Sequence, residues 1–437
     1  MPSSRDEAAL SSRATHGPRR AWAAVVVLAL VGTLNYVDRF LPGVLAEPIK
    51  RDLALSDTAI GVINGFGFLL VYAVLGIVIA RFADRGMFGA VIAGCLTLWG
   101  AMTMLGGAVQ SGLQLALTRV GVAVGEAGST PAAHAYVARN FAPEKRSAPL
   151  AVVTMSIPLA SAASLLGGGL LAQSMGWRAA FVVMGGISVL LVPLVLWVVG
   201  SRQTLPAPPP RERIAAANWW NVLRKPSFLA MVAGTSLVSA AGYSLTTFAP
   251  AFLMRTRGMS LGEVGVEYGL ATGVLGVLGL LVVGRIADRL ATRDPRWLPR
   301  IVVILIAVLL PASVLAFVVR SQTACVVLLA LAYVIGTSYL APSIAAIQRL
   351  VLPEQRATAS AVFLFFNATL GAVGPFLTGV ISDSLTPELG PQALGRALLI
   401  LVPTMQLLAI GCYALAAQRY RRDIVEEADS SVTPLDA

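Results

Sequence analysis

The stretch Ala80-Arg81-Phe82-Ala83-Asp84-Arg85-Gly86 ends one apolar segment, and its pattern returns much later as Gly284-Arg285-Ile286-Ala287-Asp288-Arg289. The two apolar segments also begin alike, with Ser56-Asp57-Thr58-Ala59-Ile60-Gly61 in the first and Ser260-Leu261-Gly262-Glu263-Val264-Gly265 in the second. Both matches have the same offset along the chain, which indicates an internal duplication. The sequence therefore predicts two halves of the same topology.

The composition decides what kind of halves these are. The chain has 437 residues, of which 57% are hydrophobic and 13% are charged, and its mean hydropathy is +0.77. In soluble domains roughly a quarter of all residues are charged, so a fold around a single water-soluble core is excluded. Twelve apolar stretches reach the length of about 20 residues that a helix needs to cross a bilayer. We predict an all-α polytopic membrane protein with twelve transmembrane helices in two pseudo-symmetric six-helix bundles.

A proline-rich, charged run separates the two halves. It contains Pro206, Pro208-Pro209-Pro210 and Arg211-Glu212-Arg213, a composition typical of a linker. The predicted parts of the chain are an N-terminal tail (1–20), a first six-helix bundle (21–199), a linker (200–226), a second six-helix bundle (227–420) and a C-terminal tail (421–437).

The net charge of +11 could indicate a nucleic-acid partner, but the positions of the basic residues argue against it. If both termini lie on one side of the membrane, most of the 33 Lys and Arg residues fall on that side. Basic residues collect on the cytoplasmic side of membrane proteins. We therefore expect an integral protein of a bacterial-type cytoplasmic (inner) membrane, with both termini cytoplasmic and no nucleic-acid partner.

Cysteine labelling tests this orientation at the linker. Single cysteines placed within 200–226 are expected to resist a membrane-impermeant thiol reagent in intact cells, because the linker lies inside, and to react after permeabilisation. The native Cys95, Cys325 and Cys412 are replaced first. Free reaction in intact cells would overturn the orientation.

The sequence offers no residues for a catalytic or metal centre. The three cysteines lie in separate apolar segments and the two histidines, His16 and His134, are far apart, so neither a disulfide framework nor a zinc site is predicted. The sequence has no nucleotide-binding loop of the Walker type. We predict no cofactor, no metal and no catalytic residue, and a membrane-embedded lipid-modifying enzyme is a disfavoured alternative. The oligomeric state is open, with a monomer expected.

Four ionisable side chains interrupt the apolar segments of the first half. Asp38 and Arg39 belong to the run Asn35-Tyr36-Val37-Asp38-Arg39, and Arg119 and Glu126 interrupt the fourth segment. A charge at membrane depth costs several kcal/mol or more, so these residues need partners or a water-filled cavity. Arg119 and Glu126 share a helix face about 10 Å apart along the axis. We expect Asp38 to lie level with Arg119, and Glu126 to lie near mid-depth, two turns from that arginine.

The positions of these charged residues predict a role for each of them. Asp38 and Glu126 are the predicted proton-coupling carboxyls, while Arg119, Arg39, Asn35 and Tyr36 are predicted to bind substrate or to tune those carboxyls. Arg39 faces either this site or the first extracellular loop, and both readings stay open. A static ion pair that only fixes helix packing is the alternative role for the charges.

The second half carries no ionisable residue deep in an apolar segment, and its polar groups are of another kind. The candidate cavity-lining side chains are hydroxyls and one amide, namely Tyr243, Thr246, Thr247, Tyr339 and Asn367. Charges on one side and hydroxyls with apolar surface on the other suit an amphipathic substrate whose polar head the first half holds.

The two Asp-Arg stretches resemble the loop signature of the major facilitator superfamily, and the likeness covers the whole chain. The resemblance implies that Asp84, Arg85, Asp288 and Arg289 control the switch between inward-open and outward-open states. The first loop departs from the family pattern, because Met87 and Phe88 follow where further basic residues are usual. The first loop is therefore expected to stabilise one of these two states more weakly than the second loop does.

The first half resembles the Spinster branch of that superfamily in particular. The likeness rests on Asn35-Tyr36-x-Asp38-Arg39, on Gly125-Glu126-Ala127 and on Ser156-Ile157-Pro158. It implies a proton-coupled secondary transporter that moves lysophospholipid or sphingosine-type amphipathic lipids by alternating access. Symporters of small organic anions such as sugar acids carry similar strings, and a proton-coupled carrier of that kind is the alternative.

Overall fold

The computed structural model describes residues 18–65, 68, 71–72, 87–141, 145–200, 225–351 and 355–430. All regular secondary structure in these ranges is helical. In chain order the α-helices are α1 (Pro18–Val44), α2 (Ala46–Asp52), α3 (Asp57–Asn64), α4 (Phe88–Gly106), α5 (Gly112–Glu126), α6 (Ser129–Asn140), α7 (Ser147–Thr154), α8 (Ser156–Ala163), α9 (Gly169–Met175), α10 (Trp177–Leu190), α11 (Val192–Val198), α12 (Pro226–Arg257), α13 (Leu261–Glu263), α14 (Gly269–Ala291), α15 (Trp297–Val318), α16 (Gln322–Ser338), α17 (Leu340–Gln348), α18 (Arg356–Gly371), α19 (Val373–Leu389) and α20 (Ala393–Ser430).

Short non-α turns interrupt some of these helices. Ser164–Gly168 and Val264–Tyr268 are π-helical, and Gly390–Gln392 is a 3₁₀ turn. Within the described ranges, nine helical segments are long and apolar enough to cross a membrane. The longest, Ala359–Ile424, runs through α18, α19 and α20. The predicted fourth span is divided between α5 and α6. The membrane-spanning helical architecture that the composition predicts is therefore observed.

The helices form two compact units, and these differ from the halves of the sequence repeat. The first unit is Met1–Leu55, Gly67–Pro209 and Ser260–Gly269, and the second is Ser56–Phe66, Pro210–Met259 and Leu270–Ala437. The segments that change unit, Ser56–Phe66 and Ser260–Gly269, are the repeat-related starts of the second and eighth predicted spans. Each unit thus takes one segment from the other half of the sequence, in a symmetric exchange.

In the first unit, glycines let helices approach closely. An added Cβ at Gly125 of α5 would lie 2.6 Å from the backbone nitrogen of Trp99 in α4. Gly100 and Gly185 bring α4 and α10 together in the same way, since each Cβ would meet the other residue's carbonyl oxygen within 2.8 Å. α1 packs against α8 and the π-helical turn. The close contact at Gly125 fixes the position of the neighbouring Glu126.

The short helix α2 is fastened to the start of α10. Asp52 accepts hydrogen bonds from the indole Nε1 of Trp177, at 3.0 Å, and from the guanidinium of Arg178. Arg178 also donates to the carbonyl oxygen of Val109, at 3.0 Å. The hydrogen bond from Arg178 holds the pKa of the Asp52 carboxyl below its ordinary value.

This lowered pKa gives a prediction about acid stability. A carboxyl with a lowered folded-state pKa contributes stability above its unfolded pKa of about 4, and this contribution is lost as the pH falls through the folded value. Asp52→Asn is therefore expected to lower the unfolding temperature in detergent slightly at neutral pH, with a difference from wild type that shrinks in acid. Unfolding temperatures of both proteins across this pH range measure it. A constant difference at every pH would contradict the pKa argument.

In the second unit, α12 packs along α20 around a core of large side chains that includes Phe228, Phe363 and Tyr413. Two polar contacts join helices beside this core. Ser227 donates its backbone N–H and its hydroxyl to the Asp423 carboxylate, and the Ser343 and Tyr413 hydroxyls are 2.7 Å apart.

The segment that joins this unit from the first half, α3, is anchored by four polar side chains that we call the Asp57 anchor: Asp57, Arg255, Ser382 and Asp383. Arg255 donates two hydrogen bonds of 2.8 Å to the two oxygens of the fully buried Asp57 carboxylate. Ser382 donates a third, at 2.7 Å. Asp383 accepts from the backbone N–H groups of Asp57 and Thr58 at the start of α3. The anchor fixes α3 against the end of α12 and against α19.

Candidate functional site

The four charges that the sequence singles out form one cluster in the first unit. Asp38 and Arg39 come from α1, and Arg119 and Glu126 come from α5. Asp38, Arg119 and Glu126 are at most 2% exposed, and the Arg39 side chain is 10% exposed. Arg119 is close enough to Asp38 and Glu126 to interact electrostatically with both. The proximity that the sequence predicts for these side chains is therefore observed, while their roles stay predictions.

Arg39 and Glu126 form the ion pair of this cluster. Nη2 of Arg39 lies 2.9 Å from Oε2 of Glu126, and its Nε lies 3.3 Å from the same oxygen. Oε1 of Glu126 has no hydrogen-bond partner among the described residues. Helix spacing related Glu126 only to Arg119, two turns away on the same helix, and did not predict this second cation from α1. The open question about Arg39 is answered too, since it points into the cluster.

Three aromatic rings of the described residues surround the Arg39 guanidinium. Its central carbon lies 4.4 Å from the ring centre of Tyr72, 4.8 Å from that of Tyr36 and 5.2 Å from that of Phe68. We call these three rings the aromatic cage. A guanidinium within about 6 Å of a ring centre is attracted by the negative face of the ring. The aromatic cage and Glu126 therefore hold Arg39 together.

Asp38 and Arg119 are less completely satisfied. Ser188 donates to Oδ2 of Asp38 at 3.5 Å, and Oδ1 has no partner among the described side chains. Arg119 lies over Phe68, 4.8 Å from the ring centre, while its Nε and Nη1 have no hydrogen-bond partner in the same part of the chain. The described residues contain no ion pair between Asp38 and Arg119. Buried polar atoms without partners are rare and costly, so these atoms are the candidates in this cluster for contact with a ligand.

Asn35 and several unpredicted side chains complete the surroundings. Nδ2 of Asn35 lies 3.5 Å from Oγ of Ser129, which in turn donates to the backbone oxygen of Glu126 at 3.1 Å. Phe68, Tyr72, Ser129 and Ser188 were not predicted from the sequence. They carry no local signal, because aromatic and small polar residues are ordinary components of membrane helices.

Several of the side chains predicted to line a cavity in the second half form hydrogen bonds within the second unit. Tyr339 donates to Oδ1 of Asn367 at 2.9 Å, and Thr235 donates to the same oxygen at 3.2 Å. Thr246 donates to the backbone oxygen of Tyr243, at 3.1 Å. Thr247 is buried. Tyr339 and Asn367 thus join helices of the second unit, and a cavity-lining role for all five residues stays a prediction.

One of the two predicted gating pairs lies in the described part of the chain. Asp84 and Arg85 lie outside the described residues. Asp288 and Arg289 are exposed near the C-terminal end of α14, as expected for residues at the end of a span.

Comparison with known proteins identifies the class. Residues 28–375 match the family model of the Major Facilitator Superfamily, and the chain belongs to that family. It is a membrane transporter of the Spinster type, as the following similarities show. It is 30% identical over 404 residues to rat Protein spinster homolog 1, covering 85% of this chain and 75% of that protein. It is 79% identical over 413 residues to an MFS-type efflux pump of Mycolicibacterium smegmatis, covering 94% and 96% of the two chains.

A solved structure supports the same conclusion. The chain resembles a bacterial homologue of the human lysosomal transporter Spinster in its inward-facing, unoccupied conformation, with a TM-score of 0.79 and 26% identity. The match covers 96% of this chain and 100% of the other. The prediction of a twelve-helix, two-bundle major facilitator fold is therefore confirmed.

Proposed function

We propose that this protein is a proton-coupled secondary transporter of the cytoplasmic (inner) membrane that exports amphipathic lipids of the lysophospholipid or sphingosine type by alternating access. The observation that carries the proposal is the buried cluster of Asp38, Arg39, Arg119 and Glu126, with its incompletely satisfied oxygens and nitrogens. Ionisable groups buried in membrane helices are costly to keep and commonly form ion or proton pathways.

The geometry suggests how a proton would be coupled to movement. A proton on Glu126 cancels the charge that pairs with Arg39, and the ion pair at 2.9 Å loses its attraction. Arg39 keeps its contacts with the aromatic cage but loses this carboxylate, so α1 and α5 lose one of the contacts between them. Asp38, next to Arg39 on α1, is the second carboxyl proposed to exchange protons. Protonation is thereby linked to how tightly the two helices are joined.

The substrate class and direction rest on other support. A relative whose alignment covers 85% of this chain is named a spinster homologue, and another relative is named an efflux pump. The deep ionisable residues lie in spans of the first half of the sequence, whereas the second half offers hydroxyls and an amide. A molecule with a polar head and an apolar tail fits such a division.

A carrier of small organic anions is the second candidate. Nε and Nη1 of the buried Arg119 have no hydrogen-bond partner among the described residues, and a substrate carboxylate could accept from either of them. Hydrogen bonds between a guanidinium and a carboxylate are charge-assisted and stronger than neutral ones.

Transport in proteoliposomes tests the proposal. Purified protein is reconstituted, a pH gradient is imposed, and the accumulation of a fluorescent lysophospholipid is compared with that of a radiolabelled sugar acid. We expect gradient-driven accumulation of the lipid that a protonophore abolishes. Accumulation of the sugar acid alone would favour the second candidate, and accumulation of neither would contradict proton-coupled transport of both substrate classes.

The loop carboxylates give a prediction about gating. Asp288→Asn is expected to change the ratio of inward-open to outward-open states roughly fivefold, which corresponds to the upper end of about 1 kcal/mol for an exposed ion pair. Asp84→Asn is expected to change it less, because basic residues do not follow the first loop. Distances between spin labels on the cytoplasmic ends of the helices measure the ratio. Equal shifts, or none, would reduce both loops to topology signals.

A further inference from the structure

The aromatic cage has the chemistry of an ammonium-binding site, and a side chain of the protein occupies it. Tyr36, Phe68 and Tyr72 place their ring centres 4.4 to 5.2 Å from the Arg39 guanidinium carbon. The Glu126 carboxylate adds a negative charge 2.9 Å from the same group. Rings grouped around a cation are how proteins recognise quaternary ammonium groups, and a buried carboxylate strengthens such a site.

We propose that the aromatic cage and Glu126 form the head-group site for a substrate that carries an ammonium group, and that this ammonium binds by displacing Arg39. The inference rests on the proposed function, because it names the chemical class of the molecule transported. The substrate is then a zwitterionic or cationic amphipath, such as a choline lysophospholipid or a sphingoid base, and an anionic one is disfavoured.

Burial and hydrogen bonding support this exchange. Glu126 is fully buried, and its Oε1 has no hydrogen-bond partner among the described residues, so the carboxylate can accept a second contact. Replacing one cation by another keeps the net charge of the buried site constant, which avoids the cost of burying an unpaired charge. The Arg39 side chain, 10% exposed, is also more exposed than those of Glu126 and Arg119.

Competition for Glu126 has a consequence for coupling. A proton and a substrate ammonium each cancel the charge of the same carboxylate, so binding of one disfavours binding of the other. Groups near Glu126 in the described part of the chain are Asp38, Arg39 and Tyr36 from α1, Arg119 from α5, and Tyr72. The neighbouring α4 carries Cys95 and no acidic or basic side chain. Mutually exclusive binding of proton and substrate is what exchange of the two across a membrane requires.

Binding to the purified wild-type protein distinguishes the head groups. The probes are lysophosphatidylcholine and lysophosphatidylglycerol with the same acyl chain, which differ in whether the head group carries an ammonium. We expect the choline lipid to bind roughly tenfold more tightly, as a desolvated ammonium gains from three rings. Equal affinity, or tighter binding of the glycerol lipid, would overturn the proposal.

Variants of the cage make the test specific. Tyr72→Leu removes a ring and is expected to abolish most of the preference for the choline lipid, whereas Tyr72→Phe keeps the ring and the preference. Arg39→Ala removes the resident cation and is expected to tighten binding of the choline lipid. Weaker choline binding in Arg39→Ala, or equal loss of both lipids in Tyr72→Leu, would overturn the displacement idea. If Arg39→Ala fails to fold, the comparison of Tyr72→Leu with Tyr72→Phe still tests whether the aromatic cage binds the ammonium group.

The pH dependence completes the experiment. Affinity for the choline lipid is expected to fall as the pH is lowered in the wild type and to be independent of pH in Glu126→Gln. A choline preference without gradient-driven transport would overturn the proposed function and keep this inference. Gradient-driven lipid transport without a choline preference would overturn this inference and keep the proposed function.

Discussion

Replacing Glu126 with glutamine is expected to reduce gradient-driven substrate accumulation to the background level of protein-free liposomes, while the protein stays folded. Glutamine cannot bind or release a proton, so the ion pair with Arg39 can no longer be switched. Its amide oxygen can still accept the hydrogen bond from Arg39, and the aromatic cage is unchanged. The loss of stability should therefore stay below the roughly 3–5 kcal/mol that removing one partner of a buried pair costs.

The measurement is substrate flux against pH for the purified variant, together with interhelical distances that report the conformation. Glu388→Gln, the same substitution at an exposed position, is the matched control and should behave as wild type. Asp38→Asn is the informative comparison, because Asp38 is buried but is hydrogen-bonded by Ser188 and not by a cation. A full pH response in Glu126→Gln with its loss in Asp38→Asn would reverse the two roles. A full response in both would exclude proton coupling through this cluster.

Asp57→Ala is expected to destabilise the protein by about 3–5 kcal/mol, the usual cost of breaking a buried ion pair by removing one partner. The Asp57 carboxylate is fully buried and accepts two hydrogen bonds from Arg255 and one from Ser382. Alanine removes both acceptor oxygens, and with them all three hydrogen bonds, and leaves the 12% exposed Arg255 side chain without that carboxylate. α3 then loses a principal attachment to α12 and α19.

Unfolding of the purified variant in detergent by heat and by denaturant measures this effect. The matched control is Asp294→Ala, which removes a carboxylate from an ion pair with Arg296 whose two side chains are about 30% exposed. Exposed pairs contribute at most about 1 kcal/mol, so the control should change stability little. Asp57→Asn keeps one acceptor oxygen and should fall between the two. A cost for Asp57→Ala no larger than that of the control would show that the anchor is not a stabilising contact.

The sequence by itself determined the class of protein and the identity of the charged residues in its site. Hydropathy and length give the membrane-crossing helices, because each helix must satisfy its own backbone groups in the bilayer. The paired Asp84 and Asp288 stretches give the repeat. Asp38, Arg39, Arg119 and Glu126 stand out because charges are rare at membrane depth. All of these signals are local, or are repeated along one chain, and can be read without knowing any contact.

The tertiary structure decided which of these residues meet. Helix spacing related Glu126 to Arg119 on the same helix, but Arg39 of α1 is its ion-pair partner. Phe68 and Tyr72 look like ordinary apolar residues of a membrane helix until their rings are found around Arg39. The sequence also did not predict that Ser56–Phe66 and Ser260–Gly269 each belong to the compact unit of the other half. Such contacts depend on the rotation and the depth at which two helices pack against each other. Close approaches between helices, such as that of Gly125 to Trp99, fix this rotation and depth. No pattern along the chain shows which helices will approach each other in this way.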